Sequence, residues 1–205
     1  MDDSKTILQK YWGFENFRPP QEEIIQSVLK KKDTIALLPT GGGKSVCFQI
    51  PALIFEGKTL VISPLIALMQ DQVESLTSKG IKAKSLNANL SFKEIDHILE
   101  NFVYGDLKLL YISPERITSE IFLTRIIKTD LSLIAVDEAH CISQWGYDFR
   151  PAYFNILKLR DLLPKVPIVA LTATATKQVL IDINSKLNLQ KAEIFTKSLL
   201  EKILV

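Results

Sequence analysis

Short, nearly continuous apolar runs alternate along this chain with stretches in which apolar residues recur every three or four positions. The runs Thr34–Leu38, Thr59–Ser63, Lys82–Leu86, Leu109–Ile112, Leu131–Val136 and Ile168–Leu171 have cores of Val, Ile, Leu and Ala, as expected of strands covered on both faces. Between them, Gln21–Lys31, Lys44–Phe55, Leu65–Ser78, Phe92–Phe102, Ser119–Ile127, Ala152–Leu163 and Lys177–Leu187 read as helices. In the first of these, Ile24, Ile25, Val28 and Leu29 fall on one helical face. Ser91, followed three residues later by Glu94, predicts a capping-box start for the helix at Phe92. The β-α-β-α order predicts a doubly wound α/β fold, with a central, mostly parallel sheet and helices on both faces. Its ligands belong beyond the carboxyl ends of the strands.

Composition narrows the classes. The 205 residues, 47% hydrophobic and 23% charged, suit one large domain with a substantial core and argue against disorder. A net charge of +2 advertises no polyanion partner, so any nucleic-acid contact must come from a local patch. The Lys30-Lys31-Lys32 run reads as solvated cations at a helix end. Two cysteines, Cys47 and Cys141, lie in apolar or motif-dense segments, which suits a reducing compartment rather than a disulfide scaffold. No apolar run is long enough for a membrane span and no signal-peptide layout opens the chain. The expected location is the cytoplasm of a bacterium, or the nucleus in a eukaryote.

Chemistry enters at the end of the first apolar run. Thr34–Leu38 leads into Pro39-Thr40-Gly41-Gly42-Gly43-Lys44-Ser45 and then a helix, the arrangement of a phosphate cradle. Glycines let the backbone approach the anion, successive N–H groups turn inward, and a helix start adds partial positive charge. Lys44 can reach the β- and γ-phosphates and the Ser45 hydroxyl can ligate magnesium. Leu38 stands where the strict pattern has glycine, so the loop is a variant Walker A. Farther on, the run ending at Val136 is followed by Asp137-Glu138-Ala139-His140. A strand-end carboxylate such as Asp137 suits magnesium, and Glu138 is placed to polarise an attacking water. His140 gains interest only from its position, and His97 reads as a surface residue.

Taken together, these segments resemble a superfamily-two, DEAH-box helicase and, more narrowly, the first RecA-like motor domain of a RecQ-family DNA helicase. The residues that carry the likeness are Thr40–Ser45, Asp137–His140 continuing through Cys141-Ile142-Ser143-Gln144-Trp145-Gly146, and Leu171-Thr172-Ala173-Thr174-Ala175. Gly13–Gln21 resembles the adenine-recognition motif of that family. The resemblance covers about residues 8 to 190. It implies ATP and Mg2+ as cofactors, with Phe14 and Arg18 flanking adenine and Gln21 pairing both edges of the base. It further implies Thr40, Gly41, Gly42, Gly43, Lys44 and Ser45 on the phosphates, Ser45 and Asp137 on the metal, and Lys44, Asp137, Glu138 and His140 in hydrolysis.

The same likeness assigns the nucleic-acid side. Trp145, Tyr147, Phe149, Tyr153 and Phe154 place five aromatics within ten residues. Aromatic faces stack on exposed bases and arginine pairs phosphate, so Gln144, Trp145, Phe149 and Arg150 are expected to touch or sense a strand. Tyr153 and Phe154 are expected to be structural. Tyr147 stands where many relatives carry histidine. Ser63 is expected either to offer its hydroxyl to a DNA phosphate or, with Pro64, to form an ordinary strand-to-helix turn. Thr172 and Thr174 could relay phosphate state to the DNA face or simply cap the following helix.

The expected partners are single-stranded and duplex DNA and a second motor lobe, with no membrane. The expected activity is 3′-to-5′ translocation and unwinding in DNA repair or recombination. Residues 1–205 would form one ATP-binding domain, residues 1–31 being its helical adenine-recognition segment, and without the second lobe and accessory domains it would not unwind. An RNA helicase lobe and a nucleotide-dependent scaffold with vestigial hydrolysis are the alternatives.

Overall fold

The computed structural model describes residues 3–87, 89–146 and 148–196; Tyr147 lies outside them. Seven strands form one sheet: β1 (Thr34–Leu37), β2 (Lys58–Ile62), β3 (Ala83–Leu86), β4 (Leu109–Ile112), β5 (Leu131–Val136), β6 (Ile168–Thr172) and β7 (Glu193–Thr196). Their order is β3-β4-β2-β5-β6-β1-β7, and every neighbouring pair is parallel. The helices are α1 (Asp3–Trp12), α2 (Gln21–Leu29), α3 (Val46–Ile54), α4 (Ile66–Ser78), α5 (Phe92–Tyr104), α6 (Glu120–Ile126), α7 (Ile156–Leu162) and α8 (Lys177–Lys186).

Alternation along the strands sends side chains into two cores. On one face Leu60, Ile62, Ile134 and Val136 pack with Leu99 and Phe102 of α5, Phe122 of α6 and Ile183 of α8. On the other, Val61, Leu133, Ala135 and Val169 meet Val28 of α2, Phe48 of α3 and Met69 of α4. Burying each such side chain is worth about 1.5–3 kcal/mol. Leu8, Ile25 and Ile50 join α1, α2 and α3 into a smaller cluster.

All six expected strands form, with no end moved by more than one residue. β7 was not expected: it is a short, half-exposed edge strand without a continuous apolar run. Helix α3 begins at Val46 rather than Lys44, because Lys44 and Ser45 belong to the turn before it. The Ala152–Leu163 stretch opens as a 3-10 turn, Pro151–Asn155, before α7. Ser91 and Glu94 form the expected capping box at α5.

A buried ion pair fastens the amino end of the sheet. The Asp33 carboxylate accepts from Arg160 Nη2 at 2.7 and 2.8 Å, from the Ile168 N–H at 2.8 Å and from the Gln190 N–H at 2.7 Å. One side chain thus holds α7, β6 and the turn before β7. At the opposite end, the order β2-β5-β6-β1 sets four strand ends side by side. Main-chain bonds continue past them, from the Leu38 N–H to the Thr172 carbonyl and from the Asp137 N–H to the Ile62 carbonyl. Four distant sequence segments therefore open on one crevice, where such folds take their ligands.

Candidate functional site

The turn after β1 has the form of an anion cradle. Gly41 and Gly43 both have φ of +74°, a conformation that favours glycine. A Cβ on Gly43 would lie 2.3 Å from Gln21 Nε2, so the position is closed to larger residues on two counts. The N–H groups of Gly41, Gly43, Lys44 and Ser45 donate to no acceptor among the described residues, which leaves four donors on one turn for a ligand.

Gln21 and Arg18 brace this loop from α2 and the turn before it. Gln21 Nε2 donates to the carbonyls of Gly42 at 3.1 Å and Gly43 at 3.2 Å, and its Oε1 accepts from the Arg18 N–H at 2.9 Å. The amide is therefore engaged on both its edges within the chain. The expectation that this amide pairs both edges of adenine thus meets contacts within the chain, which place it against the phosphate loop. Phe14 is 53% exposed, with the Arg18 guanidinium 6.0 Å from its ring centre, so a stacking surface for a base remains beside the loop. Arg18 Nη1 also reaches the Gly41 carbonyl at 3.4 Å.

Across β6, the end of β5 presents the acids. Asp137 is buried, and burial together with the neighbouring Glu138 pushes its carboxyl up to about 6. Glu138 has φ of +46°, a left-handed conformation uncommon for a residue with a side chain. It turns its carboxylate between two cations, with Lys44 Nζ 3.4 Å from Oε1 and His140 Nδ1 3.3 Å from Oε2. These partners, His140 first, hold its pKa below the usual range despite burial. The Cys141 sulfur and Glu138 in turn raise His140 to about 9.

His140 Nδ1 also lies 2.9 Å from Thr172 Oγ1, and that hydroxyl donates to the Thr174 carbonyl. The acid strand is thereby linked to the end of β6. Thr172 is buried, so it acts inside the protein, while Thr174 is exposed. Thr176, not either of these, caps α8 through the Val179 N–H.

Among the described residues no group of three or more His, Cys, Asp or Glu could cage a metal. Magnesium in a nucleotide site needs no such cage, taking one or two carboxylates and completing its shell with phosphate and water. Asp137 and the Ser45 hydroxyl are the ligands of the right chemistry, and a buried carboxylate crowded by a second one is stabilised by a cation.

The loop after the acids projects outward. Gln144 is exposed and Trp145 is 73% exposed. Phe149 meets Phe154 edge to face at 6.1 Å. Arg150 pairs with Asp148 and donates to the Pro64 carbonyl at 3.2 Å, which bridges this loop to the one after β2. Tyr153 is buried as expected, and its hydroxyl donates to the Asp137 carbonyl at 2.8 Å. Phe154 was expected to be wholly structural but is partly exposed beside Phe149.

Of the two readings of Ser63, the structure fits the strand-to-helix turn. Ser63 is 1% exposed, so its hydroxyl is not offered to a phosphate, and Oγ has no partner among the described residues. The surface after β2 is instead formed by Leu65 and Ile66.

A family model described as DEAD/DEAH box helicase matches residues 18–183. The chain belongs to the DEAD/DEAH box helicase family. Among curated proteins, this helicase chain is 47% identical over 192 residues to ATP-dependent DNA helicase RecQ of Pasteurella multocida, covering 94% of this chain and 30% of that protein. It is 50% identical over 190 residues to ATP-dependent DNA helicase RecQ of Bacillus subtilis, covering 92% of this chain and 32% of the relative. The chain thus spans about a third of these relatives. Among solved structures, the helicase MrfA bound to DNA superposes with a TM-score of 0.75 at 19% identity, over 96% of this chain and 29% of that one. This likeness shows the fold.

The sequence reading of this helicase chain missed several residues near the site. Buried Gln49 of α3 and Tyr111 of β4 form a triad with half-buried Gln72 of α4, in which Gln49 Nε2 and the Tyr111 hydroxyl stand 3.1 Å apart and that hydroxyl meets Gln72 Oε1 at 3.1 Å. It joins the helix after the phosphate loop to the helix after β2. Asp182 and Lys186 of α8 also escaped notice. Their only local signal was opposite charge four residues apart.

Proposed function

We propose that this chain is the ATP-binding lobe of a DNA helicase, in which ATP hydrolysis at the ends of β1 and β5 is coupled to a single strand held by the loop 144–150. The observation that carries the reading is the convergence of Lys44 and Glu138 at 3.4 Å, beside a turn with four free backbone donors. In this reading the loop amides and Lys44 hold the triphosphate, and Phe14 and Arg18 flank the adenine. Magnesium, when bound, would sit on Ser45 and Asp137 and offset charge on the phosphate oxygens.

Glu138 is the general base. Its low pKa makes it a weak base while Lys44 and His140 both hold it. A triphosphate that draws Lys44 away leaves the carboxylate to orient water, with His140 still fixing its other oxygen. The same histidine reports on this event to Thr172 and the end of β6. On the other side, exposed Trp145 and half-buried Phe149 and Arg150 suit base stacking and phosphate pairing without sequence readout. The curated relatives named as DNA helicases support DNA over RNA as the track. Translocation from 3′ to 5′, a role in repair or recombination, and a second motor lobe that supplies an arginine finger belong to the same proposal. A site lacking that finger is slower by about three to five orders of magnitude.

The test measures ATP hydrolysis by the full-length protein with and without single-stranded DNA, with RNA of the same sequence as competitor. Strand-stimulated hydrolysis that DNA supports better than RNA, and that Glu138→Gln abolishes, is the expected result. Absence of nucleotide hydrolysis, or equal stimulation by RNA, overturns it.

A further inference from the structure

One helix beside the site carries a charged pair that holds both arms of the aromatic loop. Asp182 of α8 is 8% exposed, and its Oδ2 accepts from the Ser143 hydroxyl at 2.7 Å and from Lys186 Nζ at 2.9 Å. Its Oδ1 accepts from Gln178 Nε2 at 3.2 Å. The Ser143 oxygen accepts in turn from the Trp145 N–H at 3.1 Å. A hydrogen-bonded path therefore runs from the Asp182 carboxylate through one hydroxyl to the backbone of Trp145, the most exposed aromatic among the described residues of the loop.

Lys186 reaches the other arm. Its ammonium lies 5.6 Å from the centre of the Phe154 ring, a distance at which a cation is attracted to the aromatic face. Phe154 is the edge-to-face partner of Phe149. Lys186 Nζ also approaches the Ile142 carbonyl at 3.5 Å, just ahead of the loop. Trp145 and Phe149 are thus both positioned from one Asp–Lys pair, four residues apart on a single helix. That helix follows Thr172 and Thr174, and Thr172 is the hydrogen-bond partner of His140. The pair consequently stands between the two ends of the coupling, fastened to the loop at one end and continuous with the phosphate-side strand at the other.

We propose that Asp182 and Lys186 are positioning residues that set the aromatic loop for strand binding and make ATP hydrolysis depend on the strand. The inference rests on the proposed function and adds to it the residues that carry the dependence. Neither side chain touches the nucleotide cradle or the acids, so their loss acts on stimulation rather than on hydrolysis itself. Displacing a positioned group by about an ångström can cost up to about a hundredfold in rate.

Asp182→Ala, Lys186→Met and Lys186→Arg would be made in the full-length protein, and basal and single-strand-stimulated ATP hydrolysis measured together with thermal unfolding and the tryptophan emission change on adding oligo-dT. Asp182→Ala and Lys186→Met are expected to keep basal turnover within about twofold, to lose about tenfold or more of the stimulation, and to blunt the emission change, whereas Lys186→Arg restores most of the stimulation because charge and reach survive. If Asp182→Ala does not fold, Lys186→Met and Lys186→Arg decide the question, since Lys186 is partly exposed. Full stimulation in the folded variants, or basal and stimulated rates falling together, overturns the inference while leaving the helicase reading in place. A wild-type protein that hydrolyses ATP with no response to DNA overturns the helicase reading, and this inference falls with it.

Discussion

The ammonium of Lys44 stands 3.4 Å from Glu138 Oε1, so one ion pair crosses β6 to join the turn after β1 to the acids after β5. Each partner has a second task in the proposed reaction, and the two substitutions should separate those tasks. Lys44→Met removes a phosphate ligand and is expected to weaken ATP binding. Glu138→Gln keeps the shape but removes the base, and should lower turnover by about a hundred- to ten-thousandfold with nucleotide affinity retained. Calorimetric titration beside steady-state hydrolysis reads both quantities, and a Glu138→Gln enzyme with normal turnover would reassign the base.

Gln21 acts on the phosphate loop through two carbonyls. Each hydrogen bond is worth about 1 kcal/mol net, so Gln21→Ala should raise the dissociation constant for ATP by about tenfold, with little change in the melting temperature. Gln21→Glu should be worse, because an anionic side chain would face two carbonyl oxygens. Equal affinities for the three proteins would show that the loop holds its form unaided.

Asp33 tests the far end of the sheet. Its carboxylate and the Arg160 guanidinium are both buried, and removing one partner of such a pair costs about 3–5 kcal/mol because the other charge is left uncompensated. Asp33→Ala should therefore lower stability by that amount in urea unfolding. A loss below about 1 kcal/mol, the size of an exposed pair, would mean that water reaches Arg160 once the acid is gone.

Asp182 makes stability depend on pH. Its carboxyl is held below the usual carboxylate range, chiefly by the Ser143 hydroxyl against the opposing effect of burial, with help from Lys186 and Gln178. A group depressed in this way stabilises the folded state at pH values above its unfolded pKa, about 3.9, and loses that contribution as the pH falls through the folded value. The stability gap between wild type and Asp182→Asn should accordingly be constant near neutrality and close below about pH 4. A gap that does not change on acidification would assign Asp182 a packing role alone.

Much of this arrangement is legible in the residues. Parallel strands buried on both faces leave nearly unbroken apolar runs, which is why six of them stand out. The phosphate turn is readable because the left-handed conformations at Gly41 and Gly43 favour glycine. What escaped depends on partners far away in the chain. The amide of Gln21 looks free until the fold brings Gly42 and Gly43 against it, and Ser63 looks surface-bound until its strand is flanked by β4 and β5. Asp182 and Lys186 resemble an ordinary exposed helical pair, since nothing local indicates that Ser143 and Phe154 will pack there. β7 is short and half-exposed, and its pairing with β1 is set by register rather than by composition.

That last pairing governs how the molecule can be pulled. Because β7 lies parallel to β1 with Thr196 opposite Leu37, Thr196 stands at the rim on which the phosphate turn begins. Tension applied at Thr196 along the strand loads the four-residue ladder in shear, against the strand that carries the turn. A handle attached there would transmit displacement to the nucleotide cradle without passing through the helices.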